Sequence, residues 1–326
     1  MKIKKYIPVI VGIALLIISF YDYDFNQLGE ILQRINFFIL IPVVLFGLAN
    51  LFVRSQRLRV ILNPIKRITG ASIFSYYSIG SFANAALPAL SGQVVRAYLF
   101  SRKYEITKTS FITGAALEVL FDGLCLFGLM VGISFMVKLP AWLIEWKLGV
   151  GIAVIGAVVL LVLVIVNHRQ IALLSKLFEK KIPRQIARRI SKSYNSFIAA
   201  LTMLRSSRHI TMVSFLSLLS WAINGIIIYL MFLAFGFTMG PWAAYVLVVV
   251  NSLAVVIVVT PGNVGTFHLA CVLGLSLFGV DKTQALSFSV LLYVVTFLPM
   301  MLTGFIFTVK EGISLMGIKN RATTGL

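Results

Sequence analysis

The residues able to do chemistry are few in this sequence, and most gather where long apolar stretches are interrupted. The first interruption is Ala86-Leu87-Pro88-Ala89-Leu90-Ser91-Gly92, with Asn84 just before it and Gln93 and Arg96 just after. Gly92 permits close approach of another backbone. A helix starting there would aim free N–H groups and the positive end of its dipole into the break, an arrangement suited to an anion. Arg96 stands one turn further on, where its guanidinium could grip a phosphate with two parallel hydrogen bonds. The competing reading has Arg96 snorkelling to the membrane surface.

The second interruption is Thr260-Pro261-Gly262-Asn263-Val264-Gly265, with Asn251 before it and Thr266 and His268 after it. His268 has no second His or Cys at ligand spacing, so a metal is not expected. It either meets a substrate or proton or serves as a satisfied polar packing group. Glu118 and Asp122 lie four residues apart on one helical face. A carboxylate near the bilayer centre costs about 2.5–3.5 kcal/mol or more, so both are expected to face the protein interior. There they pair with Arg96 and its neighbours as a buried salt bridge, or carry protons. No nucleophile motif, P-loop or dinucleotide fingerprint is present. The expectation is therefore a non-enzyme with no catalytic residues, no metal and no cofactor.

The elements that position these residues follow from composition. Of 326 residues, 60% are apolar and 12% charged, where a soluble domain carries about 25% charged residues. The apolar residues come in runs long enough to cross a hydrocarbon core of roughly 30 Å. Full spans are expected at about 6–20, 36–53, 109–137, 148–166, 210–235 and 285–309. Pro140, Trp142 and Trp146 are expected in an outer loop, 138–147, at the interfacial aromatic belt. The N-terminal Met-Lys-Ile-Lys-Lys and its apolar run lack a small-residue cleavage site, and read as a retained anchor. Cys125 and Cys271 lie in apolar runs and suggest no disulfide framework.

The net charge of +19 is topological. Twenty-five of the 29 Lys and Arg residues fall in the termini and alternate loops, including Arg54, Arg57 and Arg59, expected at the cytoplasmic surface. The other loops keep only Arg34, Lys138, Lys147 and Lys282. This is the positive-inside pattern, with both termini cytoplasmic, and it argues against nucleic acid as a partner. The basic segment of about 170–208 carries Ile171, Leu174, Leu177 and Phe178 at helical spacing, as in a helix lying on an anionic leaflet.

Charge also separates the two interrupted segments from simple crossings. Lys66 and Arg67 precede the first, about 72–104, and Arg102 and Lys103 follow it, so both its ends lie on one side. The second, about 243–278, has flanks poor in basic residues. The resulting fold class is an all-α polytopic membrane protein of about six full helices plus two re-entrant broken hairpins. It forms a single integral membrane domain, 1–326, with inverted half-repeats of about 1–137 and 148–310. Ile106-Thr107-Lys108-Thr109-Ser110 after the first hairpin echoes Val280-Asp281-Lys282-Thr283-Gln284 after the second. Paired interruptions at matching places in two halves point to a transporter-like binding site.

At these breaks the chain resembles the transmembrane-domain family of lysylphosphatidylglycerol synthases, or flippase-like domain family. Residues 84–99 look like its Asn-x-x-Leu-Pro-Gly-Arg-x-Gly-Glu-x-x-Arg stretch. Glu118-Val119-Leu120-Phe121-Asp122 is similar to Glu-Arg-x-x-Asp, and residues 261–268 resemble Pro-Gly-Gly-x-Gly-x-x-Glu. Leu90, Gln93, Val119 and His268 depart from charged family positions, while Pro88, Gly92, Arg96, Glu118 and Asp122 match. The resemblance implies a plasma-membrane domain that binds and translocates phospholipids or polyprenyl-phosphate-linked lipids. The synthases' soluble aminoacyltransferase domain is not expected here, nor is lysyl transfer. The expected partners are membrane lipids with anionic headgroups. An alternative role is a membrane partner docking a separate lipid-modifying aminoacyl- or glycosyltransferase through segment 170–208. Oligomeric state is not legible.

Overall fold

The computed structural model describes residues 7–21, 23–86, 91–138, 140–166, 197–198, 201, 206–257 and 260–313. Pro88, Leu90 and nearly all of the basic segment 170–208 lie outside the described residues. Those described are helical, with no strand among them. In chain order the helices are α1 (Ile7–Phe20), α2 (Phe25–Arg34), α3 (Leu40–Leu62), α4 (Gly70–Ala86), α5 (Ser91–Tyr104) and α6 (Lys108–Ser134). Then follow α7 (Ala141–Val166), α8 (Ser207–Ala234), α9 (Pro241–Ile257), α10 (Thr266–Ser276) and α11 (Lys282–Lys310). Five of these elements are long and apolar enough to cross a membrane: Phe37–Leu62, Lys108–Ser134, Ala141–Leu163, Ser207–Ala234 and Lys282–Lys310. Apolar side chains such as Ile152, Leu160, Leu218 and Ile306 are exposed on their outer faces, as lipid-facing residues must be. The protein is a polytopic all-α membrane protein.

Several boundaries differ from the sequence expectation. α1 has 14 residues, covering about 21 Å at 1.5 Å per residue. It packs against α10 and the turn before it. The short amphipathic α2, not foreseen, packs on α11, where the Tyr23 hydroxyl meets Ser287 Oγ at 3.0 Å. α7 begins at Ala141, so Trp142 and Trp146 lie on its first turns rather than in a loop. α3 continues nine residues beyond the expected end at Val53. That extension carries Arg54 and Arg57 into the protein.

Two helix pairs take the place of simple crossings. α4 packs on α5 and α9 on α10, each pair joined through one of the two interruptions. The last helix, α11, lies against α4, while the turn preceding α10 touches α4 as well, so the two broken pairs meet. The echoed pentapeptides have the same structural job. The Thr107 hydroxyl accepts from Ser110 N at 3.1 Å, capping α6. The Asp281 carboxylate accepts from Thr283 N at 2.8 Å, capping α11. Each caps the span that leaves a broken pair, satisfying N–H groups that have no partner within the helix.

Candidate functional site

A cavity of about 440 Å³ lies where the two broken pairs meet. Its wall is built by stripes at helical spacing. α3 contributes Gly47, Asn50, Leu51 and Arg54; α4 contributes Tyr77, Gly80, Ser81 and Asn84; α5 contributes Gly92, Gln93 and Arg96. Asn224 of α8, Asn251 and Ser252 of α9, Gly262 and Asn263 of the second turn, and Thr296 of α11 add to its polar surface. The volume falls in the range of small-molecule sites, roughly 300–1,000 Å³.

Arg96 is the best-defined cation here. It is 7% exposed, its Nη2 donates to Ser81 Oγ at 3.1 Å, and its guanidinium carbon lies 3.7 Å from the centre of the Tyr77 ring. Its Nε is buried and, among the described residues, has no hydrogen-bond partner. Two absent side chains make this placement possible. A Cβ on Gly80 would strike the Arg96 chain, and one on Gly92 would strike the Gly80 carbonyl oxygen. The cross-pair contact of α4 and α5 therefore depends on glycine at both positions. Arg96 points inward and does not snorkel.

Behind the cavity wall sits a different charged cluster. Arg57 is 1% exposed, which corrects its expected place at the cytoplasmic surface. Its Nη1 and Nη2 donate to the two Asp122 oxygens at 2.6 and 2.9 Å, and Nη1 also donates to Ser217 Oγ at 3.1 Å. Its Nε stands 3.5 Å from Glu118 Oε1. Trp221 Nε1 donates to Asp122 at 3.1 Å. Arg54 bridges the two regions. It lines the cavity, yet its Nη2 lies 3.7 Å from Asp122. Glu118 and Asp122 thus hold α6 to α3 through Arg57 and Arg54, and Arg96 has no ion pair with either. Neither carboxylate is among the cavity-lining residues.

The second break is shaped by left-handed backbone. Gly262 has φ 62°, Asn263 φ 59° and Gly265 φ 85°, conformations that favour glycine and tolerate asparagine. A Cβ on Gly265 would also collide with the Gly12 carbonyl of α1. Tyr293 donates to the Gly262 carbonyl at 2.8 Å, and the Thr260 hydroxyl donates to the Val264 carbonyl at 2.8 Å. Thr260 is buried, as is His268. His268 Nδ1 meets Ser289 Oγ at 3.0 Å beside the rings of Phe267 and Tyr293.

Of the residues singled out from sequence, the structure brings Asn84, Gly92, Gln93, Arg96, Asn251, Gly262 and Asn263 around one cavity. Thr260, Pro261, Gly265 and His268 shape the turn and its packing without lining it, and Glu118 and Asp122 stand behind Arg54. Sequence reasoning missed Arg54, Tyr77, Asn50 and Asn224. The signal existed for two of them, because Asn50 and Arg54 are four residues apart in an apolar run and so share a face. Asn50 donates to Asn224 Oδ1 at 2.7 Å and accepts from the Ser220 hydroxyl at 2.7 Å. Among the described residues, no group of three or more His, Cys, Asp or Glu side chains could hold a metal.

Fold and cavity together define a multi-pass membrane protein with a polar, arginine-bearing cavity between two broken helix pairs. The family model described as the lysylphosphatidylglycerol synthase TM region matches residues 6–304, and the chain belongs to that family. A search of curated proteins finds no match. Family membership ties the chain to membrane-lipid function, and the region matched is by its description the membrane part.

Proposed function

We propose that this protein binds an anionic phospholipid or polyprenyl-phosphate-linked lipid by its headgroup in the cavity between the broken pairs, and moves it across the plasma membrane. The observation that carries this reading is Arg96, a buried cation with no ion pair to a carboxylate among the described residues, at the wall of a polar cavity. A buried guanidinium with no directly paired carboxylate favours an anion beside it, and its planar fork fits phosphate oxygens. Arg54, on α3, supplies a second donor to the same cavity. Broken backbone at membrane depth suits this role, because it leaves polar groups that a headgroup can satisfy. No step of the proposal uses a catalytic group. The positive-inside bias of the loops favours a cytoplasmic position for both termini.

The test is reconstitution of the full chain in vesicles with fluorescent anionic lipid, followed by quenching of the outer leaflet. Wild type should expose the inner-leaflet probe, and Arg96→Ala should not. Equal movement in both would remove Arg96 from the function, and no movement of any anionic lipid would remove the transport reading.

A further inference from the structure

The cavity's charges and its amides together say more about the headgroup than the presence of a phosphate. Three arginines, Arg54, Arg57 and Arg96, stand at or behind the wall against two carboxylates, Glu118 and Asp122. Arg57 is consumed by Asp122 and Glu118. One positive charge is therefore left over, on the cavity side, and it matches the single negative charge of a phosphodiester.

The rest of the lining is neutral. Among the described residues, none of those lining the cavity is Asp or Glu. A headgroup bearing an ammonium would enter a space already short of negative charge, with no carboxylate to receive it. The nearest two are engaged behind the wall, and the Tyr77 ring face that could attract a cation is covered by Arg96. What the cavity offers instead is amides: Asn50, Asn84, Gln93, Asn224, Asn251 and Asn263. No side-chain hydrogen bond from a described residue engages Asn84, Gln93 or Asn263; Asn50 and Asn224 are only partly used by each other and Ser220, and Asn251 is the most engaged, donating to the Leu247 carbonyl and meeting Cys271 Sγ. Each amide presents two N–H donors and an oxygen acceptor. That is the complement of hydroxyl groups, which both donate and accept, and it is a poor complement to an ammonium, which only donates.

We infer that the cavity selects a lipid whose monoanionic phosphodiester carries a neutral, hydroxyl-rich headgroup, a glycerol or a sugar, and excludes aminoacylated or other amine-bearing headgroups. This rests on the proposed lipid-binding reading of the same cavity and narrows it.

The experiment compares phosphatidylglycerol with lysylphosphatidylglycerol, which differ by the added lysyl group. Each is placed as a trace fluorescent probe in phosphatidylcholine vesicles containing the full chain. Phosphatidylglycerol should move about tenfold or more faster, the scale expected when one of two ligands brings an uncompensated charge into a buried site. Gln93→Glu, which puts a carboxylate on the wall, should narrow or reverse that ratio. Equal rates for the two lipids in wild type would overturn the headgroup inference and leave the transport reading standing. Native mass spectrometry of the detergent-solubilised chain reads binding separately. Higher occupancy by phosphatidylglycerol than by its lysyl ester upholds the selectivity even where no movement occurs, and equal occupancy overturns it. Glycerophosphoglycerol, the same headgroup without acyl chains, should fail to displace the lipid at equal concentration. Full displacement would assign the cavity to a soluble phosphodiester instead.

Discussion

Arg57 and Arg96 are both buried arginines, one behind the cavity wall and one on it, and their partners differ sharply. Arg57 has two carboxylates, a serine hydroxyl and a two-pronged geometry on Asp122. Arg96 has one serine hydroxyl and one tyrosine ring and, among the described residues, no ion pair, while the Nε of both arginines is buried without a hydrogen-bond partner. Removing one partner from a buried ion pair is costly because the survivor is stranded. The first arginine therefore belongs to the scaffold. The second is held in place by geometry with no carboxylate paired to it among the described residues, which suits a site that takes an anion.

That contrast predicts opposite phenotypes. Arg57→Ala strands Asp122 and Glu118 and should cost about 3–5 kcal/mol, seen as a large fall in melting temperature or loss of monodisperse protein in detergent. Arg96→Ala should leave a folded protein, destabilised by about 1 kcal/mol for the lost ring contact, yet abolish lipid movement. Arg96→Lys should recover little of it, since an ammonium lacks the guanidinium fork. If the stability and transport losses of the two variants were interchanged, the division of labour between the arginines would be wrong.

The carboxylates refine the same comparison on a smaller scale. Asp122 accepts both prongs of Arg57 and the Trp221 indole, whereas Glu118 stands at 3.5 Å from Arg57 Nε with Oε1 making no hydrogen bond. Asp122→Asn should accordingly destabilise the protein more than Glu118→Gln, a ranking that thermal unfolding of the two variants would check. The smallest effect belongs to the second broken pair. Ser289→Ala removes the hydrogen bond to His268 and should cost on the order of 0.6 kcal/mol, the average for such bonds between membrane helices. A loss of lipid movement in that variant at unchanged melting temperature would bring His268 into the site after all.

Much of this architecture was legible before any coordinates, and the exceptions have physical reasons. The breaks announce themselves because proline and paired glycines interrupt apolar runs. Arg96 was legible because it follows such a break by one turn. Arg57 was not. It ends an apolar run beside Arg54 and Arg59, as a surface arginine does, and its partners lie some 60 residues on in α6. Only the continuation of α3 to Leu62 turns it inward. Spacing within a helix shows which residues share a face, as for Glu118 and Asp122, but not which helix that face meets. His268 lies on the first turn of α10. Its direction, toward Ser289 rather than the cavity, depends on how α10 packs against α11, which no local pattern records.

The central claim is that the cavity between the broken pairs holds an anionic headgroup on Arg96 and Arg54. Native mass spectrometry of the intact chain, released from detergent with added phosphatidylglycerol, reads this most directly. Wild type should retain lipid adducts, and Arg54→Gln/Arg96→Gln should lose them while keeping a folded charge-state distribution. Undiminished adducts in the double variant would show that the headgroup binds elsewhere.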